Sequence, residues 1–216
     1  MEKTEKKPSL ADAVTVGALL LTFALTAVVY ARLPDPMPTH FAASGRPNGW
    51  MPRAYGAWLV PFTSLGLAAL IRFGGHLLPP DWRARLEASP VRALTMMTVV
   101  FLSAVHLLVL HAALSPAKTL GSTVVWLLLG VFLVVLGQIL PRTRRNPFIG
   151  VRTAWTLTSD ENWAQTHRVA GYAFTLGGAA VAVSGWLHAP GLGGAALTVA
   201  VLAPILWSWR LSRRDG

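Results

Sequence analysis

GSTVVWLLLGVFLVVLGQIL, residues 121–140, followed at once by PRTRR, residues 141–145, decides the fold. The first run holds no charged side chain and has the length, about 20 residues, that a helix needs to cross a hydrocarbon core roughly 30 Å thick. In hydrocarbon only a helix or a closed barrel satisfies every backbone N–H and C=O, and a single run this long fits the helix alone. Pro141 closes it, and Arg142, Arg144 and Arg145 follow as cations suited to lipid headgroups. Five further segments read the same way: Asp12 to Ala31, Tyr55 to Phe73, Val91 to Leu114, Val169 to His188 and Leu192 to Trp209. The expected fold is all-α, a polytopic membrane bundle of about six transmembrane helices. The first helix starts at a Ser9-x-x-Asp12 capping box. Arg32 and prolines follow it in place of a small-residue cleavage site, so it is expected to stay as an anchor.

Composition agrees. Hydrophobic residues make up 53% of the 216 and charged ones 13%, too few to cover the surface of a soluble domain. Lys and Arg number 19 against 9 Asp and Glu, a net charge of +10. In so apolar a chain this reads as attraction to anionic lipid, with no direct nucleic-acid partner. Cysteine is absent, which excludes disulfides, iron–sulfur clusters and thiolate zinc sites.

Sorting the basic residues by connector sets Lys3, Lys6, Lys7, Arg72, Arg83, Arg85, Arg92, Arg142, Arg144, Arg145, Arg152, Arg168, Arg210, Arg213 and Arg214 against only Arg32, Arg46, Arg53 and Lys118. The positive-inside rule then predicts a multi-pass cell-membrane protein with both termini in the cytoplasm and the connector between the first two helices outside. Residues 1–90 read as an N-terminal two-helix region carrying that outer loop. Residues 91–216 read as a four-helix membrane domain, and the two as one structural unit. Ser89-Pro90 predicts a capping hydroxyl and N1 proline for the third membrane helix. Thr158-x-x-Glu161 predicts the cap of a helix of about 30 residues, roughly 45 Å long, with Trp163 and His167 one turn apart.

Two connectors carry candidate binding residues. The cytoplasmic one holds Asn146, Phe148, Gly150, Arg152, Thr153, Trp155, Trp163, His167 and Arg168, a basic, aromatic, turn-rich set that an ordinary loop has no reason to keep. Arg152 is expected to stack among Phe148, Trp155 and Trp163 while offering its planar fork to an anion; Asp160 and Glu161 are its possible internal partners. The outer connector holds Thr39, His40, Phe41 and Trp50 in a Pro- and Gly-dense loop with turns expected at Gly45 and Asn48-Gly49. There His40 is either a ligand group or a side chain that hydrogen-bonds a turn. His106 and His111 lie about 140° apart on their helix and make no metal pair. His106, in mid-helix, is expected to bond a neighbouring helix as a neutral ring. Gly177, Gly178, Ala182 and Gly185 are expected to serve close packing inside the bundle. No catalytic motif, metal site or cofactor site is read.

The stretch Asn146-Pro147-Phe148-Ile149-Gly150-Val151-Arg152-Thr153-Ala154-Trp155-Thr156, with Trp163 and His167-Arg168, resembles the signature of the SdpI family of bacterial membrane proteins. Pro38-Thr39-His40-Phe41, with Gly45, Gly49 and Trp50, resembles the Pro-Thr-His-Phe loop of the uncharacterised domain that commonly precedes it. The resemblance implies protection against a secreted peptide toxin that collapses the membrane potential. It also implies recruitment of a cytoplasmic transcriptional repressor when toxin is present. Two other readings stay open: a small permease or lipid-handling protein in which Arg152 and Arg168 bind an anionic headgroup, and a membrane enzyme using His40 or His106.

Overall fold

The computed structural model describes residues 9–115 and 120–214; Lys3, Lys6, Lys7 and Lys118 lie outside them. In chain order the elements are α1 (Leu10–Val29), strands β1 (Met37–Phe41) and β2 (Pro47–Met51), α2 (Arg53–Phe73), α3 (Pro80–Glu87), α4 (Val91–Leu114), α5 (Ser122–Ile139), α6 (Ala154–Thr158), α7 (Asp160–Trp186) and α8 (Pro190–Ser212). Among the described residues, six helices are long and apolar enough to cross a membrane: α1, α2, α4, α5, α7 and α8. The expected all-α bundle is found, with one small hairpin added.

The surface of α1 shows what solvent these helices are built for. Val14, Val16, Leu20, Leu21, Leu25 and Val28 are exposed, while the buried residues are Thr15, Thr22 and Thr26. Each threonine Oγ1 donates to the carbonyl four residues back, at 2.7 Å, so the polar face needs no water. An apolar outside around a self-satisfied polar inside is stable in lipid.

Packing falls into two groups. α4 lies against α1 and α2, α7 lies between α5 and α8, and α4 touches α5 more lightly. α5 and α7 meet at glycines: a Cβ on Gly130 would fall 2.5 Å from the Gly178 carbonyl oxygen. Further along the same face Gly185 of α7 abuts Trp126 of α5, and on another side Gly177 abuts Ala200 of α8. The small residues therefore pack inside the bundle, as expected. His106 of α4 also behaves as expected, its Nε2 lying 2.8 Å from Thr26 Oγ1 of α1.

The connectors gather at two ends. At the hairpin end the Leu120 N–H donates to the Gly45 carbonyl at 2.9 Å, and Gly193, just past the α7–α8 link, abuts Trp126. At the other, basic end Arg92 pairs with Asp12 at 3.2 Å, and the Arg144 N–H donates to Ser89 Oγ at 2.9 Å.

Three local expectations are corrected. Asn48-Gly49 is strand, not turn: Gly49 lies opposite His40, where a Cβ would come within 2.9 Å of the His40 Cβ. The turn is made at Gly45 alone, at φ +79°. Ser89 caps no helix, because its hydroxyl donates back to the Arg85 carbonyl and closes α3. The cap of α7 is Ser159, whose side chain accepts the Asn162 N–H. Thr158 belongs instead to the short α6 before it.

Candidate functional site

At the basic end the chain from 143 to 159 is organised from within by buried polar side chains. Asn146 is fully buried. Its Oδ1 accepts the N–H groups of Phe148 (2.9 Å) and Ile149 (2.8 Å), and its Nδ2 donates to the carbonyls of Arg144 (2.7 Å) and Ile149 (3.3 Å). One amide thus replaces a turn's backbone ladder. The chain then reverses at Gly150, at φ +116°, where a Cβ would stand 2.2 Å from His167 Nε2.

His167 has a role for each ring nitrogen. The Trp163 carbonyl can only accept, so Nδ1–H donates to it at 2.8 Å. The Val151 N–H can only donate, so Nε2 accepts it at 3.0 Å. These partners fix the neutral Nδ1–H tautomer. Trp163 stacks on the imidazole with ring centroids 4.0 Å apart, and its indole N–H donates to the Thr143 carbonyl at 3.0 Å. Asn146, Gly150, Trp163 and His167 therefore form one knot that locks the turn onto the first turns of α7.

A second knot ties the turn to α8. Thr153 caps α6 in a box with Thr156, and its Oγ1 lies 2.8 Å from Ser208 Oγ. Asn162 Nδ2 donates to the Ser208 carbonyl at 3.0 Å, and Thr166 Oγ1 donates to Asn162 Oδ1 at 3.1 Å. Ser208, Thr156, Asn162 and Thr166 were missed as site residues. The available signal was their polarity: Ser208 is a hydroxyl in an apolar helix, and Thr153-x-x-Thr156 is a capping spacing.

The expected aromatic cage around Arg152 is not formed. Arg152 is exposed and donates to the Pro147 carbonyl at 2.6 Å. Phe148 packs toward Gly74 and the core of Leu86, Leu94 and Ile149. Trp155 lies outside, 37% exposed, while Trp163 is turned inward onto His167. The stacked, forked arginine is Arg145. Its guanidinium lies 5.4 Å from the Trp82 ring centroid, donates to the Leu157 carbonyl at 2.6 Å and pairs with Asp160 at 2.7 Å. Asp160 also takes Arg85 at 2.6 Å, so it joins α3 to α7 and is not a partner of Arg152. Arg85, Arg142, Arg144, Arg145 and Asp160 line a cleft of about 790 Å³, in which four arginines stand against one carboxylate and only Arg85 and Arg145 bond it. Arg168 is exposed on α7.

At the hairpin end β1 and β2 pair antiparallel, Met37 opposite Met51 and Pro38 opposite Trp50. Met37 is fully buried with Leu33, Val109 and Leu110 and anchors the hairpin on α2 and α4. His40 Nδ1 bonds Asn48 Oδ1 across the strands, a partner in a strand and not in a turn, with the His40 Nε2 unpartnered among the described residues. Thr39, His40 and Phe41 roof an apolar pocket of about 280 Å³ over Val105, Val109, Val125 and Trp126. Trp50, 53% exposed, lies outside that pocket.

Residues 142–208, from the arginine cleft to the serine that holds Thr153, match the model of the SdpI/YfhL protein family. This segment is similar to that family. Residues 17–65, covering most of α1, the hairpin and more than half of α2, match a domain of unknown function, DUF1648. No curated protein and no solved structure matches the chain. The SdpI/YfhL segment contains both polar knots, and the DUF1648 segment contains the hairpin roof.

Proposed function

We propose that the protein is a membrane immunity protein that binds a membrane-active peptide toxin and relays its presence to a cytoplasmic repressor, with no enzymatic step. The observation that carries this reading is the SdpI/YfhL match over residues 142–208, whose buried knots give the basic end a rigid, specific surface. In this reading the hairpin end faces outward and the basic end the cytoplasm, following the charge sorting. The apolar pocket under Thr39, His40 and Phe41 is where an apolar side chain of the peptide enters, with exposed Trp50 beside it. Trp126 lines that pocket and packs on Gly185 of α7, and α7 carries Trp163 and His167 at its other end. A tilt of α7 is therefore the proposed route between the ends. The basic cleft and exposed Arg152 and Trp155 are the proposed surface for the repressor.

The test is protection. Sensitive cells expressing this protein should keep their membrane potential, read with a potential-sensitive dye, when exposed to the peptide encoded beside its gene. Trp50→Ala and Trp126→Ala should weaken protection at unchanged protein level. Loss of potential equal to that of cells without the protein, with expression confirmed, overturns the reading.

A further inference from the structure

α5 and α7 cross almost backbone to backbone near the basic end. A Cβ on Gly137 would meet Thr175 Oγ1 at 2.5 Å, and one on Gly171 would meet Pro141 Cγ at 2.6 Å. On the outer side of this crossing the two helices enclose a cleft of about 500 Å³. Two guanidiniums line its upper part: Arg142, just past α5, and Arg168, in the third turn of α7. Arg85 and Arg145 share Asp160, and Arg92 has Asp12, but neither Arg142 nor Arg168 meets a carboxylate among the described residues.

Below the arginines the lining changes character in step with depth. Arg168, Tyr172 and Leu176 follow at intervals of four on one stripe of α7, about 6 Å per interval. Tyr172 is 67% and Leu176 71% exposed, facing out of the protein. On α5 Gln138 sits four residues before Arg142 and donates to Thr175 Oγ1 at 2.8 Å, so its amide oxygen is left to accept. Charge, then amide and phenol, then aliphatic side chain is the order of a phospholipid read inward: phosphate, glycerol with its esters, acyl chain. Snorkelling arginines alone would give the first layer without the other two.

We propose that this cleft binds one anionic phospholipid, its phosphate held between Arg142 and Arg168 and its acyl chain lying along Tyr172 and Leu176. Basic pockets between membrane helices are suited to such headgroups, and guanidinium forks match phosphate oxygens in pairs. The site is separate from the hairpin pocket and does not depend on the toxin reading.

The protein purified in mild detergent, titrated with phosphatidylglycerol or phosphatidylcholine and followed by native mass spectrometry, should retain one phosphatidylglycerol per chain in preference to phosphatidylcholine. At about fivefold per arginine near a membrane surface, Arg142→Gln with Arg168→Gln should lower that affinity roughly 30-fold. Arg213→Gln with Arg214→Gln, which removes the same charge elsewhere, should leave it within about twofold. Arg168→Lys alone keeps the charge and loses the fork, and should weaken retention several-fold even if the double variant cannot be recovered. Equal losses in the two double variants, or no preference for phosphatidylglycerol, would overturn the site. Displacement of the lipid by low-millimolar inorganic phosphate would overturn the lipid assignment in favour of a soluble anion.

Discussion

Gly150→Ala concentrates the test of the knot in one methyl group. The backbone there has φ +116°, a region in which a residue with a Cβ is strained by about 1–3 kcal/mol. The added Cβ would stand 2.2 Å from His167 Nε2 and 3.1 Å from the far edge of Trp163. The imidazole must therefore withdraw from the Val151 N–H, and a partly buried donor left unpaired adds about 1–3 kcal/mol. The expected loss is about 4 kcal/mol, or a fall in Tm on the order of 10 °C for a chain of this size. Thermal unfolding in mild detergent, followed by tryptophan fluorescence, measures it. Gly66→Ala is the control, a helical glycine with nothing near its missing Cβ, and should be neutral or slightly stabilising. His167→Ala removes both the acceptor and the obstacle, so adding Gly150→Ala to it should lower Tm by far less than Gly150→Ala does alone. A single Gly150→Ala variant within 2 °C of the parent would refute the account of the turn.

Two further outcomes are expected. With no native cysteine to compete, a membrane-impermeant thiol reagent on intact cells should label Ser44→Cys at the hairpin tip and leave Glu161→Cys unlabelled; the reverse pattern would invert the proposed orientation. Arg145→Lys should lower stability by about 1 kcal/mol in the same unfolding assay, because an ammonium cannot serve Asp160, the Leu157 carbonyl and the Trp82 face together. Arg144→Lys should be silent, since the contact found for Arg144 runs through its backbone N–H. Equal effects would reduce Arg145 to a headgroup anchor.

The membrane helices were legible because length and apolarity in lipid leave a single solution: five of the six apolar segments end within a few residues of their helices, and the fifth, Val169 to His188, is the membrane part of a helix that starts nine residues earlier at Asp160. The importance of Asn146, Gly150, Trp163 and His167 was legible as composition, but their arrangement was not. Arg152 drew the expectation of an aromatic cage because Phe148, Trp155 and Trp163 are its neighbours in sequence. In space the Asn146 turn and the positive φ of Gly150 send Phe148 toward α2 and α4 and leave Arg152 outside. Arg145 looked like one of three equivalent anchors, and only α3 distinguishes it. That helix supplies Trp82 and Arg85 but is eight residues long, too short to show a periodicity of its own. The hairpin was hidden for a related reason, since its pairing runs between residues up to fourteen apart, Met37 and Met51, and Asn48-Gly49 is more often seen at a turn than within a strand.

The inward threonines of α1 bear on how the chain assembles as it is made. Their hydroxyls are satisfied within the helix itself, so α1 can rest alone in lipid without stranding a donor. His106 of α4 has no such internal partner and finds one in Thr26. Synthesis runs from α1 toward α4, so the helix that can wait enters the membrane before the helix that cannot. The imidazole meets a ready partner on arrival instead of an unsolvated interval in hydrocarbon.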